Sequence, residues 1–150
     1  RFFEYRFPKP DTKNTIESIS IIAEMCSEAP NYREDWKSDI CLWLNGVECG
    51  TWRCPGDFGD RRGRLTPNWW KTGNTQYGLL TKWTINNNGC YINNIMISDT
   101  NLRDIKMDNK TYLSVRFGNK EDAEYIGGLN IFGRAFGDYE QDIVMIIEYK

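Results

Sequence analysis

Apolar side chains recur at every second position through most of this chain, and that period fits a pleated strand rather than a helix. Phe3, Tyr5 and Phe7 alternate with Phe2, Glu4 and Arg6 until Pro8 stops the run. Ile19, Ile21, Ala23 and Met25 alternate with Ser18, Ser20, Ile22 and Glu24. Leu42 and Leu44 lead into Asn45-Gly46, and Val47 to Trp52 leads away. Asn-Gly tolerates the two positive φ angles of a type I′ turn, so this stretch predicts a hairpin. Tyr77 to Asn86 reads as the next strand, with Leu79 and Trp83 on one face; Asn87-Asn88-Gly89 turns the chain, and Cys90 to Ile97 predicts short strands around Asn93-Asn94. Thr111 to Phe117 and Asp142 to Tyr149 are further strands. The last carries IVMII, apolar on both faces, which predicts a central position in its sheet.

Helical signal is thin. One turn is expected within Ser98 to Met107, capped by Asp99 or Thr100, and another within Lys120 to Tyr125. The expectation is therefore an all-β fold over residues 1–150: a single antiparallel β-sandwich of jelly-roll, galactose-binding-like type with one or two short helical turns.

Composition removes several function classes. A chain of 150 residues is long enough to close one core. Its formal net charge of −2 supplies no global field toward nucleic acid. No apolar run approaches the roughly 20 residues of a membrane span, so no membrane contact is expected. The chain opens on Arg1 without an initiator methionine, which reads as part of a longer protein. Cys26, Cys41, Cys49, Cys54 and Cys90 are an odd set that cannot pair completely, and strand positions suit thiols as small hydrophobes. Reduced cysteines in a cytoplasm are expected. Histidine is absent, Cys49 and Cys54 do not form a CxxC pair, and no metal site or cofactor is expected. Without histidine, a GxSxG elbow or a cysteine–histidine pair, no enzyme chemistry is expected.

Two long irregular segments, Ser27 to Ser38 and Arg53 to Gln76, break the strand pattern, and segments of the second length are usually functional or disordered. The stretch from Ser27 to Tyr77 holds five of the six tryptophans. Aromatic faces stack on sugars or bases, and indole N–H groups donate to hydroxyls. For Trp43, Trp52 and Trp83, on strands, a core role is the better reading; for Trp36, Trp69 and Trp70 core and ligand readings weigh equally. Carboxylates accept from hydroxyls, and arginine forks bind anions. The ligand-binding candidates are therefore Glu28, Asp35, Trp36, Asp57, Asp60, Arg61, Arg62, Trp69, Trp70 and Tyr77, with Arg64 beside them. The competing reading is a solvated loop tied by its own ion pairs. Paired acids also serve glycosidases, and arginines among aromatics also bind single strands, but Asp57 and Asp60 blunt the second idea. Glu121, Asp122 and Asp138 show no EF-hand ladder. Gly127-Gly128 and Gly133 do not form a dinucleotide fingerprint, and Gly137-Asp138-Tyr139 reads as the connection into the last strand.

Several strings are distinctive together: EYRFP from Glu4, CSEAP from Cys26, DWKSDICLWLNG from Asp35, CPGDFGDRRG from Cys54, NWW from Asn68, TQYGLL from Thr75, GNKEDA from Gly118, IFG from Ile131 and FGDY from Phe136. Across almost the whole chain they resemble the C-terminal domain of bacterial ArsR-like winged-helix transcriptional regulators of a type common in Firmicutes. The resemblance implies a cytoplasmic effector-sensing or dimerising domain whose DNA contacts belong to a winged helix upstream of Arg1. It assigns no ligand residues. The expected partners are a small-molecule effector, with a saccharide as the chemical guess, and a second copy in a homodimer. The alternative is a carbohydrate-binding module or glycosidase-related jelly-roll domain.

Overall fold

The computed structural model describes residues 2–107 and 110–150. Among them, ten strands follow in order: β1 (Phe2–Pro8), β2 (Ile16–Cys26), β3 (Ser38–Leu44), β4 (Val47–Cys54), β5 (Leu79–Asn86), β6 (Cys90–Ile92), β7 (Ile95–Ser98), β8 (Tyr112–Gly118), β9 (Asn130–Ile131) and β10 (Val144–Tyr149). Two antiparallel sheets pack face to face. One has the order β1-β8-β3-β4, the other β10-β2-β5-β6-β7. Met25 pairs with both Leu79 and Ile131, so β9 lies on the side of β2 away from β5. The all-β sandwich follows from the period-two pattern. None of the described helices is long and apolar enough to cross a membrane.

Turn chemistry sets where the strands reverse. Asn45 and Gly46 take φ of 48° and 79°, the left-handed pair that a tight hairpin between β3 and β4 requires. Asn93 and Asn94 do the same between β6 and β7, at 47° and 69°.

The inward faces meet in one core. Ile19, Ile21, Ala23 and Met25 of β2 join Ile40, Leu42 and Leu44 of β3, Trp83 and Ile85 of β5, and Leu113, Val115 and Phe117 of β8. Trp83 is the largest fully buried side chain. Its ring lies 5.3 Å from Phe117 and 6.4 Å from Trp52. Its indole N–H donates to the Thr81 hydroxyl at 2.9 Å, and that hydroxyl donates to the Ala23 carbonyl at 2.8 Å. The buried donor is thereby satisfied.

Four sequence expectations need correction. β10 is an edge strand, paired with β2 alone; Met145 and Ile147 pack on the core while Ile146 is exposed on the outer face. An apolar run on both faces there marks a half-covered edge, not a central strand. Trp43 faces outward between Leu42 and Leu44 and lines a surface cleft with Phe2, Glu48 and Lys120, so it is not core. The 3-10 turn Leu102–Asp104 is capped by Asn101, not by Asp99 or Thr100. Asn101 accepts from the Arg103 N–H at 3.0 Å while Asp104 accepts from the Asn101 N–H at 2.9 Å, a reciprocal box that fixes the start. Lys120 to Tyr125 forms one hydrogen-bonded turn, Ala123 N–H to Lys120 carbonyl, without helix. Tyr125 must instead run beside β3, where its carbonyl accepts from the Asp39 N–H at 2.8 Å and its N–H donates to the Asp39 carboxylate at 3.1 Å.

Glu24 occupies an outward position on β2, yet it is 1% exposed. Its carboxyl accepts from the Gly78 N–H at 2.8 Å, from the Asp138 N–H at 3.0 Å on both oxygens, and from the Tyr139 N–H at 3.1 Å. Gly137 makes the approach feasible. It has φ of 78°, and a Cβ there would sit 2.4 Å from the Glu24 carboxyl. Glu24→Gln points an amide donor at backbone donors. It is expected to lower unfolding free energy by about 2–3 kcal/mol, read from urea denaturation.

Candidate functional site

The long segment between β4 and β5 is ordered by its own backbone bonds. The Asp57 N–H donates to the Arg33 carbonyl at 2.8 Å, the Gln76 N–H to the Phe58 carbonyl at 2.7 Å, and the Leu65 N–H to the Gly137 carbonyl at 2.8 Å. The Thr66 hydroxyl donates to the Gln76 carbonyl and accepts from the Gly137 N–H. Buried Gln76 donates its amide to the Lys71 and Asn74 carbonyls. The segment thus replaces regular structure with a tied loop, as buried backbone groups demand.

The ten candidate residues fall into two groups. Glu28, Asp35, Trp36 and Asp57 gather toward the segment around Gly127. The Glu28 N–H and the Trp36 indole both donate to the Gly127 carbonyl, at 2.9 and 3.2 Å. The Arg33 guanidinium lies over the Trp36 ring, 5.4 Å from its centre, and pairs with exposed Asp35 at 3.3 Å. Asp57 is buried and accepts from the Ala29 N–H at 2.9 Å; burial pushes its carboxyl above the ordinary range. Trp36 and Asp35 line a cleft of about 340 Å³ with Lys37, Tyr125 and Ile126.

Asp60, Arg61, Arg62, Trp69, Trp70 and Tyr77 gather instead toward residues 136–138. Arg61 forks onto Asp138, at 3.0 and 2.7 Å, and lies over the Tyr77 ring, 3.8 Å from its centre. That fork holds the Asp138 carboxyl below its usual range and the Arg61 guanidinium above its own. Tyr77 stacks on Phe58, with centroids 5.4 Å apart, and its hydroxyl donates to Asp60. Partial burial together with that bond to Asp60 raises the phenol to about 12. Asp60 also lies near Glu34; the negative Asp60 raises Glu34, and the Tyr77 bond lowers Asp60.

Two of these side chains are committed to the loop itself. Arg62 donates to the Pro67 carbonyl at 2.5 Å and to the Trp70 carbonyl at 3.1 Å. The Trp70 indole donates to the Thr75 carbonyl at 2.8 Å. These bonds commit the Trp70 indole N–H and part of the Arg62 fork to the loop. Trp69 differs: it is 72% exposed. It stands edge-on to Trp70 and Phe136, with centroids 6.0 and 5.8 Å away. Trp70 and Phe136 are also edge-on, at 5.5 Å, so three rings brace one another.

Glu34, Phe58 and Phe136 belong to this surface and are not among the sequence candidates. Phe136 lies within one of the distinctive strings, but nothing local to it announces that it packs under Trp69. Of the arginine run beside Trp69 and Trp70, Arg62 turns into the loop and Arg61 is paired with Asp138, while the side chains of Arg61 and Arg64 stay exposed. The thiols also face inward: all five cysteines are free and buried. Burial raises Cys41 and Cys54 to about 11 and Cys90 to about 12, and pushes Cys26 and Cys49 well up. Among the described residues no three acidic or thiol groups converge as a metal site. No family model, curated protein or solved structure matches the chain.

Arg62→Ala should loosen the 63–76 loop while leaving both sheets intact. About 1–2 kcal/mol of stability is lost, and hydrogen exchange accelerates at Trp70 and Gln76 but not at Ile21 or Trp83. Acid should act through Asp138 and Asp39, both held below the ordinary range by arginine bonds. Their stabilisation is complete above the unfolded value near 4 and drains away as pH falls through their folded values. Asp57, raised by burial, opposes this trend. Tm should therefore fall on acidification, and Arg61→Ala should flatten the Asp138 share of that fall in a calorimetric pH series.

Proposed function

We propose that this chain is the effector-sensing domain of an ArsR-like winged-helix regulator. In this reading it is a non-catalytic module, cytoplasmic, with DNA contact delegated to residues upstream. Its effector is a small polar ring compound such as a saccharide. The reading draws on the distinctive strings quoted above and on one feature of the surface. A tryptophan 72% exposed is supported from beneath by two other aromatic rings and carried on a loop tied at both ends. Exposing so large an apolar face has a cost that burial would remove, at roughly 25 cal/mol per Å². A stacking ligand recovers it.

Trp69 is the platform in this reading. Asp60 and Glu34 accept from ligand hydroxyls, and Tyr77 with Arg61 orients Asp60. Arg62 and Trp70 are assigned to support. A carbohydrate-binding module uses the same surface chemistry, and the exposed, unwalled position of Trp69 favours it as the second reading.

Calorimetric titration with a panel of neutral monosaccharides and sugar acids tests the proposal. One class is expected to bind, and Trp69→Ala should weaken it by roughly tenfold, the scale of one lost aromatic contact. Asp60→Asn should weaken it too, whereas Trp36→Ala should leave it unchanged. Titration heats insensitive to Trp69→Ala would remove this ring from the site.

A further inference from the structure

The sandwich is open along one side. Among the described residues, β1 is the outermost strand of its sheet and pairs only with β8. Phe3, Tyr5 and Phe7 lie opposite Phe117, Val115 and Leu113, all fully buried, so the three aromatics face the inter-sheet space. Yet Phe3 is 37% exposed and Tyr5 49%. The opposite sheet does not reach over them. A cleft of about 710 Å³ remains, with Phe3 and Tyr5 on one wall and Leu129, Ile131 and Ile143 on the other.

The backbone of β1 is equally open, and its hydrogen-bond parity follows from its neighbours. The Lys9 N–H donates to the Thr111 carbonyl, so odd positions of β1 face β8. The Asn45 N–H donates to the Ser114 carbonyl, so even positions of β8 face β3, which agrees. Phe2, Glu4 and Arg6 therefore turn their N–H and C=O groups outward along the free edge. Pro8, which has no N–H, sits at the end of the same row, as edge strands permit. The inward positions of β1 itself, Phe3, Tyr5 and Phe7, carry no charge of the kind that usually protects an edge against strand addition.

We propose that this edge pairs with the same edge of a second copy, making one continuous sheet across a homodimer. The sequence of β1 is self-complementary about Tyr5. In antiparallel pairing centred there, Glu4 lies opposite Arg6 of the second copy and Arg6 opposite its Glu4. Phe3 lies opposite Phe7, and Tyr5 meets its own counterpart. Opposite charges and aromatic pairs directly across strands are stabilising, whereas like charges are not. The parity agrees with the register: Glu4 and Arg6 carry the outward backbone groups, so each such pair exchanges both ladder bonds. The Phe2 N–H meets the Pro8 carbonyl, and the missing Pro8 donor falls at the last rung. One register thus satisfies charge, ring and backbone requirements together, and a two-fold interface needs that self-match. The exposed rings of the cleft gain cover from the facing rings. This interface uses β1 rather than the Trp69 loop and stands whether or not that loop binds an effector.

Sedimentation equilibrium on the whole chain, with variants, tests it. The unaltered chain is expected to dimerise at micromolar concentration. Glu4→Arg and Arg6→Glu should each weaken self-association at least tenfold by placing like charges opposite. Mixed in equal amounts, the two variants should form a heterodimer. One edge strand then carries arginine at both positions 4 and 6, and it faces a strand carrying glutamate at both. Arg6→Pro removes an outward N–H without touching the β8 ladder; it should give a monomer with near-normal far-UV circular dichroism. A monomeric unaltered chain overturns the proposal. So does a dimer that survives both charge reversals, or a mixture of reversed variants that stays monomeric.

Discussion

The architecture around the loops depends on one buried carboxyl. Glu24 points out of the second sheet, where a strand ordinarily meets water, and collects backbone N–H groups from Gly78, Asp138 and Tyr139. Those donors come from the start of β5 and from the connection into β10. Two remote stretches of chain are thereby held on one side chain of β2. Hydrogen bonds to a carboxylate are among the stronger kind, and a donor buried without a partner is costly. Asp138, positioned through its N–H by Glu24, uses its carboxylate to hold Arg61 and accepts the Arg64 N–H at 3.1 Å. Arg61 in turn covers Tyr77. The order of the exposed surface therefore descends from a residue on a core strand.

This dependence explains how the candidate surface is tied together although it carries almost no regular structure. Arginines and indoles that look available in the sequence are consumed internally by Pro67, Trp70, Thr75 and Asp138. What remains outward is the Trp69 ring, with acids grouped near Tyr77 and the exposed side chains of Arg61 and Arg64. A surface of this kind recognises by shape and stacking, with little rearrangement needed in its own loop.

The fold was legible because its determinants are local. Asn45-Gly46 fixes a hairpin whatever surrounds it, and alternation over Ile19 to Met25 fixes the buried face of β2. The position of a strand within a sheet is not local, which is why the IVMII run suggested the centre and β10 lies at the edge. The candidate site was legible only in part. Arg62 and Asp57 turn inward because the Pro67 and Trp70 carbonyls and the Ala29 N–H need partners. Glu34 and Phe136 entered through contacts that no spacing announces. Glu24 was hidden by its own regularity: in the alternation it occupies an ordinary solvent position.

The burial of every thiol has a practical consequence. A thiolate is the reactive form, and each cysteine here is both shielded from solvent and shifted away from ionising near neutrality. The native protein is thus a silent background for maleimide chemistry. A cysteine introduced beside Trp69 or on the outer face of β1 would be the one fast-reacting handle, so a fluorophore or spin label could be attached there without first stripping the chain of its own sulfur.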